Sequence, residues 1–271
     1  METNMTTTLA NGQVMPMLGF GTYKLDDTAA EGAVAFALQT GYRHVDTAAF
    51  YFNEEGVGKG MENSGVPRED IFLTTKLWNA DHGYDQALFA FEESLRRLGT
   101  DYVDLYLIHW PMPDRGASWK ALERIYASGQ AKAIGVSNYH IRHLQELLAD
   151  CTVAPMVNQV EFHPYLVQIP LWEFCRAQNI RQEAWSPLMR GQLFAEPLLQ
   201  TLAEKYNKTL AQIILRWDLQ MGITTIPKSA TEARITENFG ALDFVLTDED
   251  TAAITALDKN LRSGGDPEDY R

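Results

Sequence analysis

The sequence predicts an α/β protein, a closed (β/α)8 barrel, and three observations carry that expectation. Eight short apolar, β-branched segments recur about every 24 to 32 residues through most of the 271-residue chain, each followed by a helical pattern. The segments read as near-continuous apolar runs, as strands covered on both faces do, and no Pro, Ser or Gly-rich linker divides the chain. A doubly wound open sheet also alternates strands and helices, but it wants a glycine fingerprint directly after its first strand, and none follows MLGFG. Residues 1–271 therefore read as one barrel domain.

Taken in order, TTTLANGQVMPM places Asn11-Gly12 between two short extended runs, the signal for a tight hairpin, expected to close the bottom of the barrel. The eight strand segments are MLGFG (17–21), RHVDT (43–47), IFLTTK (71–76), VDLYLIH (103–109), AKAIGVS (131–137), PMVNQVE (155–161), IRQEAWS (180–186) and ITTIP (223–227). Between them Leu88, Phe91, Leu95 and Leu98 share one helical face, as do Trp119, Leu122, Ile125 and Tyr126. Gly41, Gly99 and Gly129 stand where helices end on a left-handed residue. The longer gap before the eighth strand accommodates two helices, 197–207 and 209–220. Thr247 with Asp250 has the form of a capping box opening a helix through about residue 259, and LRSGGDPEDYR then reads as a short polar tail.

Hydrophobic residues make up 45% and charged residues 22% of the chain, the balance of a globular protein with a large core. The net charge of −13 opposes phosphate backbones and anionic lipid headgroups, so neither nucleic acid nor a membrane is expected as partner. Any anionic ligand needs a local basic site. Cys151 and Cys175 show no metal-type spacing and read as reduced thiols, with no metal expected. The opening METNMTTTLANG lacks the basic start and apolar core of a signal peptide, and no window approaches the roughly 18 apolar residues of a membrane span. The expected location is the cytoplasm.

The run Gly56-Val57-Gly58-Lys59-Gly60 invites a nucleotide-loop reading but matches no phosphate-loop spacing and follows Asn53-Glu54-Glu55, a helix start. It reads as a helix with loosely packed glycines. Chemistry in a barrel sits at the C-terminal ends of the strands. There the second strand ends in Asp46 with Tyr51 five residues on, the third in Lys76 and the fourth in His109. Singly, these are as well explained as a helix cap, a half-exposed tyrosine, a solvated lysine and a hydrogen-bonded neutral histidine. Jointly, on three consecutive strand mouths, they point to one reactive site. Tyr23, Phe50, Trp78 and Trp110 adjoin the same mouths and suit a substrate pocket, or equally the packing between barrel and helices.

Near the C-terminus Lys228 and Ser229 precede Thr231, a helix N-cap candidate, and Arg234, which together suit a phosphate because helix N-termini favour anions. His140 and His143 read as surface residues on one helix face and His163 as a turn residue, while His44 and His82 carry no signal.

The segments GFGTY, GYRHVDTAAFYFNEEGVGKG, FLTTKLWN, DYVDLYLIHWP, IGVSN, NQVEFHP, AWSPL and IPKSATEARITEN, in this order and spacing, resemble the aldo-keto reductase superfamily over nearly the entire chain. The resemblance implies a barrel enzyme reducing aldehydes, dicarbonyls or keto sugars with NADPH, and a catalytic tetrad of Asp46, Tyr51, Lys76 and His109. It also implies that Gly21, Thr22, Asp46, Ser137, Asn138, Gln159, Trp185, Ser186 and Leu188 hold the nucleotide. The 2′-phosphate falls to Lys228, Ser229 and Arg234, the adenine to Glu237 and Asn238, and the substrate to Tyr23, Tyr51, Trp78, His109 and Trp110. Many members carry Tyr where this chain has Trp185, which keeps a flat aromatic face.

Such a reduction delivers hydride to carbon while oxygen gains charge, so a donor must meet that oxygen. Tyr51 is the expected acid. A free phenol titrates near 10, and Lys76, kept charged by Asp46, is expected to lower that value. His109 is expected to donate to the same oxygen. The tail is shorter than the loop that covers the substrate in other members, which implies an open site; the resemblance and the absence of an evident interface segment imply a monomer. Because folds do not fix function, a nicotinamide-sensing binding module and an isomerase or aldolase using Lys76 as a Schiff-base amine stand as alternatives.

Overall fold

The computed structural model describes residues 5–270; the first four residues of the opening segment lie outside them. The chain begins with an antiparallel hairpin, β1 (Thr6–Thr8) and β2 (Val14–Pro16). The Asn-Gly pair does mark its turn, but the loop holds three residues, because Leu9 N–H bonds Gln13 O across it. Gly12 sits at φ +89 and returns its N–H to Leu9 O, a conformation that glycine adopts without a Cβ penalty.

Eight parallel strands follow: β3 (Phe20–Gly21), β4 (His44–Asp46), β5 (Phe72–Leu77), β6 (Leu105–Ile108), β7 (Ile134–Ser137), β8 (Val157–Glu161), β9 (Arg181–Trp185) and β10 (Thr224–Thr225). Seven lie inside their expected segments and β5 runs one residue past its own, to Leu77, and their order in space is their order in the chain. The ring closes where Gly19 N–H bonds Thr225 O and Thr225 N–H bonds Met17 O. Every residue of β4 through β8 is buried, which is why these strands read as apolar runs without alternation. Leu9 and Met15 of the hairpin pack with Phe72, Leu105 and Val157 from the strand starts, so the hairpin covers the bottom as expected.

Ten α-helices lie among the described residues: α1 (Asp27–Thr40), α2 (Glu54–Ser64), α3 (Tyr84–Leu98), α4 (Arg115–Ser128), α5 (Ile141–Asp150), α6 (Ile169–Ala177), α7 (Pro197–Tyr206), α8 (Leu210–Gln220), α9 (Glu232–Phe239) and α10 (Asp248–Thr255). Gly41, Gly99 and Gly129 cap α1, α3 and α4 at positive φ, as read from the sequence. The pair α7 and α8 fills the long gap before β10.

The glycine run does form a helix, α2, but its glycines are tightly packed, which corrects the sequence reading. A Cβ on Gly56 would lie 2.1 Å from Asp27 O, one on Gly58 2.3 Å from Leu98 O, and one on Gly60 2.7 Å from Glu31 O. Only bare backbone lets α2 approach α1 on one side and the end of α3 on the other. At the head of α2 the buried Glu54 carboxylate accepts from Thr75 Oγ1 at 2.6 Å and Arg97 Nε at 2.7 Å.

Thr247 caps α10 through Asp250 N–H, yet the helix stops at Thr255, short of the expected end. The backbone amides of Lys259 and Leu261 are drawn instead to Tyr165 O, which turns the chain back to the barrel rim.

Candidate active site

The C-terminal rim gathers the four ionisable residues singled out in the sequence. Asp46 ends β4, Tyr51 closes the single helical turn Ala49–Tyr51 that follows, Lys76 lies near the end of β5, and His109 stands one residue past β6. Parallel pairing of β4 with β5 and β5 with β6 makes them neighbours although up to 63 positions separate them.

Lys76 Nζ is the centre of the group. It donates to Asp46 Oδ1 at 2.6 Å and to Thr47 O at 2.9 Å, and its third contact is Tyr51 OH at 3.5 Å. All three ammonium protons are accounted for. The His109 ring lies edge-on to Tyr51, with ring centres 5.8 Å apart, and its Nδ1 is buried without a partner among the described residues.

Burial of the Lys76 amine would lower its pKa, but the charge of Asp46 and the hydrogen bond to it lead the opposing effects that outweigh burial and hold the ammonium form. Burial, with the Lys76 charge added, takes His109 well below the usual histidine range, so the imidazole is neutral at pH 7. For Tyr51 the expected direction is corrected. Burial raises the phenol to about 12, and the opposing pull of Lys76 at this long separation does not reverse it.

The assigned nucleotide residues line the neighbouring strand ends. Ser137 Oγ donates to Gln159 O at 2.8 Å. Asn138, at φ +65, donates to His109 O at 2.9 Å and accepts at Oδ1 from Trp185 Nε1 at 2.8 Å, so the indole is tied to the β7 loop. Gln159 Nε2 is shared between Asp46 Oδ2 at 2.8 Å and Glu183 Oε2 at 2.9 Å. Its Oε1 has no hydrogen-bond partner among the described residues. Thr22 bonds Asp46 O, and a Cβ on the adjacent Gly21 would reach Ile226 O at 2.9 Å. Beyond β9 the chain passes through positive φ at Ser186, Met189, Arg190 and Gly191, while Leu188 is half-buried.

Lys228 sits beside Gly21, and burial together with the charge of Lys24 lowers its pKa. Lys228 and the exposed Arg234 make no ion pair among the described residues. Thr231 holds the N-cap position of α9, but its side chain makes no cap bond, and Ser229 Oγ instead accepts Thr231 N–H at 3.1 Å. The first-turn amides of α9 thus lack a capping side chain, in keeping with an anion site. On α9 Asn238 is buried and Glu237 half-buried.

Aromatic side chains ring the tetrad. Tyr23 meets Tyr51 with ring centres 5.0 Å apart, Phe50 stacks on Trp78 at 3.7 Å, and Trp78 meets His109 at 5.3 Å. Beside them a pocket of about 360 Å³ is lined by Phe50, Phe52 and Trp78 with Asp27, Glu55 and Asp81. A larger groove of about 600 Å³ lies away from the tetrad, between α2 and the end of α3.

The tail, read from the sequence as a short polar end, is docked against the rim. Glu161 at the end of β8 accepts from Ser263 N–H at 2.6 Å, Gly264 N–H at 3.1 Å and His163 Nε2 at 3.1 Å. Gly264 rests on Trp185, Glu268 pairs with His140 and Arg142, and Tyr270 stacks on Trp110 at 4.2 Å. Two histidines change meaning accordingly: His143 is buried rather than on the surface, and His163 is a buried partner of Glu161. His44, set aside in the sequence, lies inside the barrel with Glu183. The missed signal was an acid at an inward strand position in IRQEAWS, and an aromatic residue ending a polar tail.

A family model described as the Aldo/keto reductase family matches residues 17–259. A protein named glyoxal reductase from Bacillus subtilis is 53% identical over 266 residues, covering 97% of this chain and 96% of its own. Methylglyoxal reductase DkgA from Yersinia pestis is 48% identical, covering 96% and 95%. Among solved structures, a variant of Gox0644 in complex with NADPH superposes with a TM-score of 0.93 at 43% identity, covering 98% of each chain. The chain is thus a member of the aldo/keto reductase family.

Proposed function

We propose that this protein is an NADPH-dependent reductase of small aldehydes, dicarbonyls or keto sugars, with Tyr51 as the acid that protonates the carbonyl oxygen. The observation that carries the reading is Lys76 Nζ, held between Asp46 and Tyr51 at the rim of the barrel. The names of the relatives, glyoxal and methylglyoxal reductase, support the substrate class, and the NADPH complex of a structural neighbour supports the cofactor.

Bound NADPH supplies the hydride. The protein's own part is to place the oxygen and deliver a proton. Tyr51, neutral up to about 12, holds its proton through neutral pH and releases it only as negative charge develops on the substrate oxygen. Lys76 stabilises the phenolate that results, and Asp46 keeps Lys76 charged and fixed. Neutral His109, whose Nδ1 is buried without a partner among the described residues, is left to orient the same oxygen. The open Oε1 of Gln159, with Ser137, Asn138 and Trp185, would hold the nicotinamide end. Gly21, Thr22, Ser186 and Leu188 would line the path of the pyrophosphate. Lys228, Ser229 and Arg234 would take the 2′-phosphate, and Glu237 and Asn238 the adenine. Tyr23, Phe50, Trp78 and Trp110 would enclose the substrate.

The reading includes one barrel domain acting as a monomer in the cytoplasm, the location supported by the two free cysteines. The test is NADPH consumption with methylglyoxal and glyoxal by wild type and Tyr51→Phe. The variant is expected to bind NADPH normally while turnover falls about 10²- to 10⁴-fold, the usual worth of general acid catalysis. Undiminished turnover would remove Tyr51 as the acid, and a wild type inert toward a carbonyl panel would favour a nucleotide-binding module instead.

A further inference from the structure

We propose that Glu183 is a positioning residue, held as a neutral carboxylic acid facing His44, that locks Gln159 beneath the nicotinamide site. The inference rests on the reading of the rim as a nucleotide-dependent carbonyl site and concerns a layer of the barrel below it.

Glu183 stands in the middle of β9 and is fully buried. Its Oε2 and Asp46 Oδ2 take the same amide nitrogen, Gln159 Nε2, at 2.9 and 2.8 Å. Both amide protons are therefore committed to carboxyl groups on different strands, and the amide cannot turn over without losing both bonds. This fixes Oε1 as the free atom.

The protons can be assigned from the partners. His44 Nδ1 lies 3.2 Å from Pro16 O, and a carbonyl oxygen only accepts, so Nδ1 carries hydrogen. His44 Nε2 then bears a lone pair when the ring is neutral, and it lies 3.2 Å from Thr74 Oγ1 and 3.5 Å from Glu183 Oε1. Oε1 is buried and has no hydrogen-bond partner among the described residues. Thr74 can donate its hydroxyl proton to that lone pair, but an ionised Glu183 would still hold Oε1 against the ring nitrogen with no donor of its own in a dry core, a costly arrangement. One proton resolves it. Burial lowers His44 to about 4 and, joined by the negative charge of Asp46, raises Glu183 to about 8, so the proton belongs to the acid at neutral pH. The groups facing Glu183 are His44 and Asp46 from β4, Lys76 from β5 and Gln159 from β8; its register partner on β10, Thr224, is uncharged.

With Glu183 neutral, the single negative charge of Asp46 is matched by the single positive charge of Lys76. With Glu183 ionised, two carboxylates would compete for one ammonium and one amide.

The test begins without nucleotide or substrate. The folded state keeps a proton on Glu183 that the unfolded chain releases above about 4.3, so folded stability contributed by this group falls as pH rises from about 4 to about 8. Glu183→Gln preserves shape and can donate to His44 while accepting from Gln159, but has no proton to lose. Its Tm relative to wild type is expected to climb across that window, whereas a constant offset would overturn the neutral-acid assignment. A carboxylic-acid carbonyl band seen by isotope-edited infrared in wild type near pH 6 and absent from Glu183→Gln would support it, and identical spectra would overturn it. For the positioning role, NADPH binding is followed by fluorescence. Glu183→Gln is expected to stay within about threefold of wild type and Glu183→Leu to weaken binding roughly tenfold, the worth of one lost hydrogen bond. Unchanged affinity in a folded Glu183→Leu would overturn that role, while wild type unable to bind NADPH at all would count against the functional reading, with the stability and infrared results still deciding the proton.

Discussion

Gly264 lies against the indole of Trp185, so close that a Cβ on the glycine would sit 2.4 Å from Cη2. The tail and the aromatic residue at the end of β9 are thus one packed unit, and Trp185 is also held at its other edge by Asn138. Gly264→Ala is expected to lift the tail or tilt the indole rather than unfold the barrel, since overpacking of about 1–3 kcal/mol is relieved most easily at a chain end. Faster proteolysis of the tail and a several-fold rise in KM for the carbonyl substrate, with Tm within a few degrees of wild type, would be the outcome. Unaltered KM and proteolysis would mean that the contact has no bearing on the site.

Lys76→Met leaves the buried carboxylate of Asp46 without its ammonium. Removing one partner of a buried pair costs about 3–5 kcal/mol, so urea unfolding should shift to a markedly lower midpoint at pH 7. A midpoint unchanged at pH 7 would show that the pair is not buried in solution.

The pH profile follows from the phenol and the imidazole. Tyr51 is the proton donor only below its raised value of about 12, and neutral His109 has no titration near pH 7 because burial has moved it well below. The kcat for reduction is therefore expected to show no inflection from either group between about pH 6 and 9 and to fall only in strong alkali. Stability has the same sign for Tyr51, being lost as pH rises through the interval from about 10 to about 12. An inflection near pH 6.5 that disappears in His109→Gln would contradict the neutral imidazole.

Gly56→Ala tests the packing of α2. Its methyl group would meet a backbone carbonyl, Asp27 O at 2.1 Å, which cannot swing aside as a side chain can. A destabilisation of about 1–3 kcal/mol is expected, with a Tm lower by roughly 2–4 °C per kcal/mol, while KM is retained. Tm equal to that of wild type would mean that the helices are not in contact.

Arg234→Ala separates the two nucleotides. A charge-assisted bond is worth about 1.5–3 kcal/mol, so NADPH affinity should fall roughly 10- to 100-fold while NADH affinity stays level. An equal loss for both would place Arg234 away from the 2′-phosphate.

Much of the fold was legible because barrel strands and helix caps are local signals. A short apolar run such as IFLTTK and a glycine such as Gly99 at a helix end carry their meaning within a few residues. The candidate site was legible for the same reason, since the end of a strand in this architecture is also the rim of the barrel, and Asp46, Lys76 and His109 each sit at such an end. What the local pattern could not convey is distance between helices or the balance of opposing electrostatic effects. The glycines of α2 read as slack because nothing in GVGKG reports that Asp27 O and Leu98 O press against them. Tyr51 read as acidified because the pull of Lys76 is chemically evident, whereas the burial that outweighs it is a property of the assembled rim.

By itself, then, the sequence determined the strand order, the barrel, the family and the four ionisable residues at the strand mouths, since periodicity and chain position suffice for these. Only the tertiary structure decided that the tail docks on Glu161 and Trp185, and that Gln159 joins Asp46, 113 positions away, to Glu183. Such contacts depend on which groups are buried together without water, and that is settled only when all eight strands have closed.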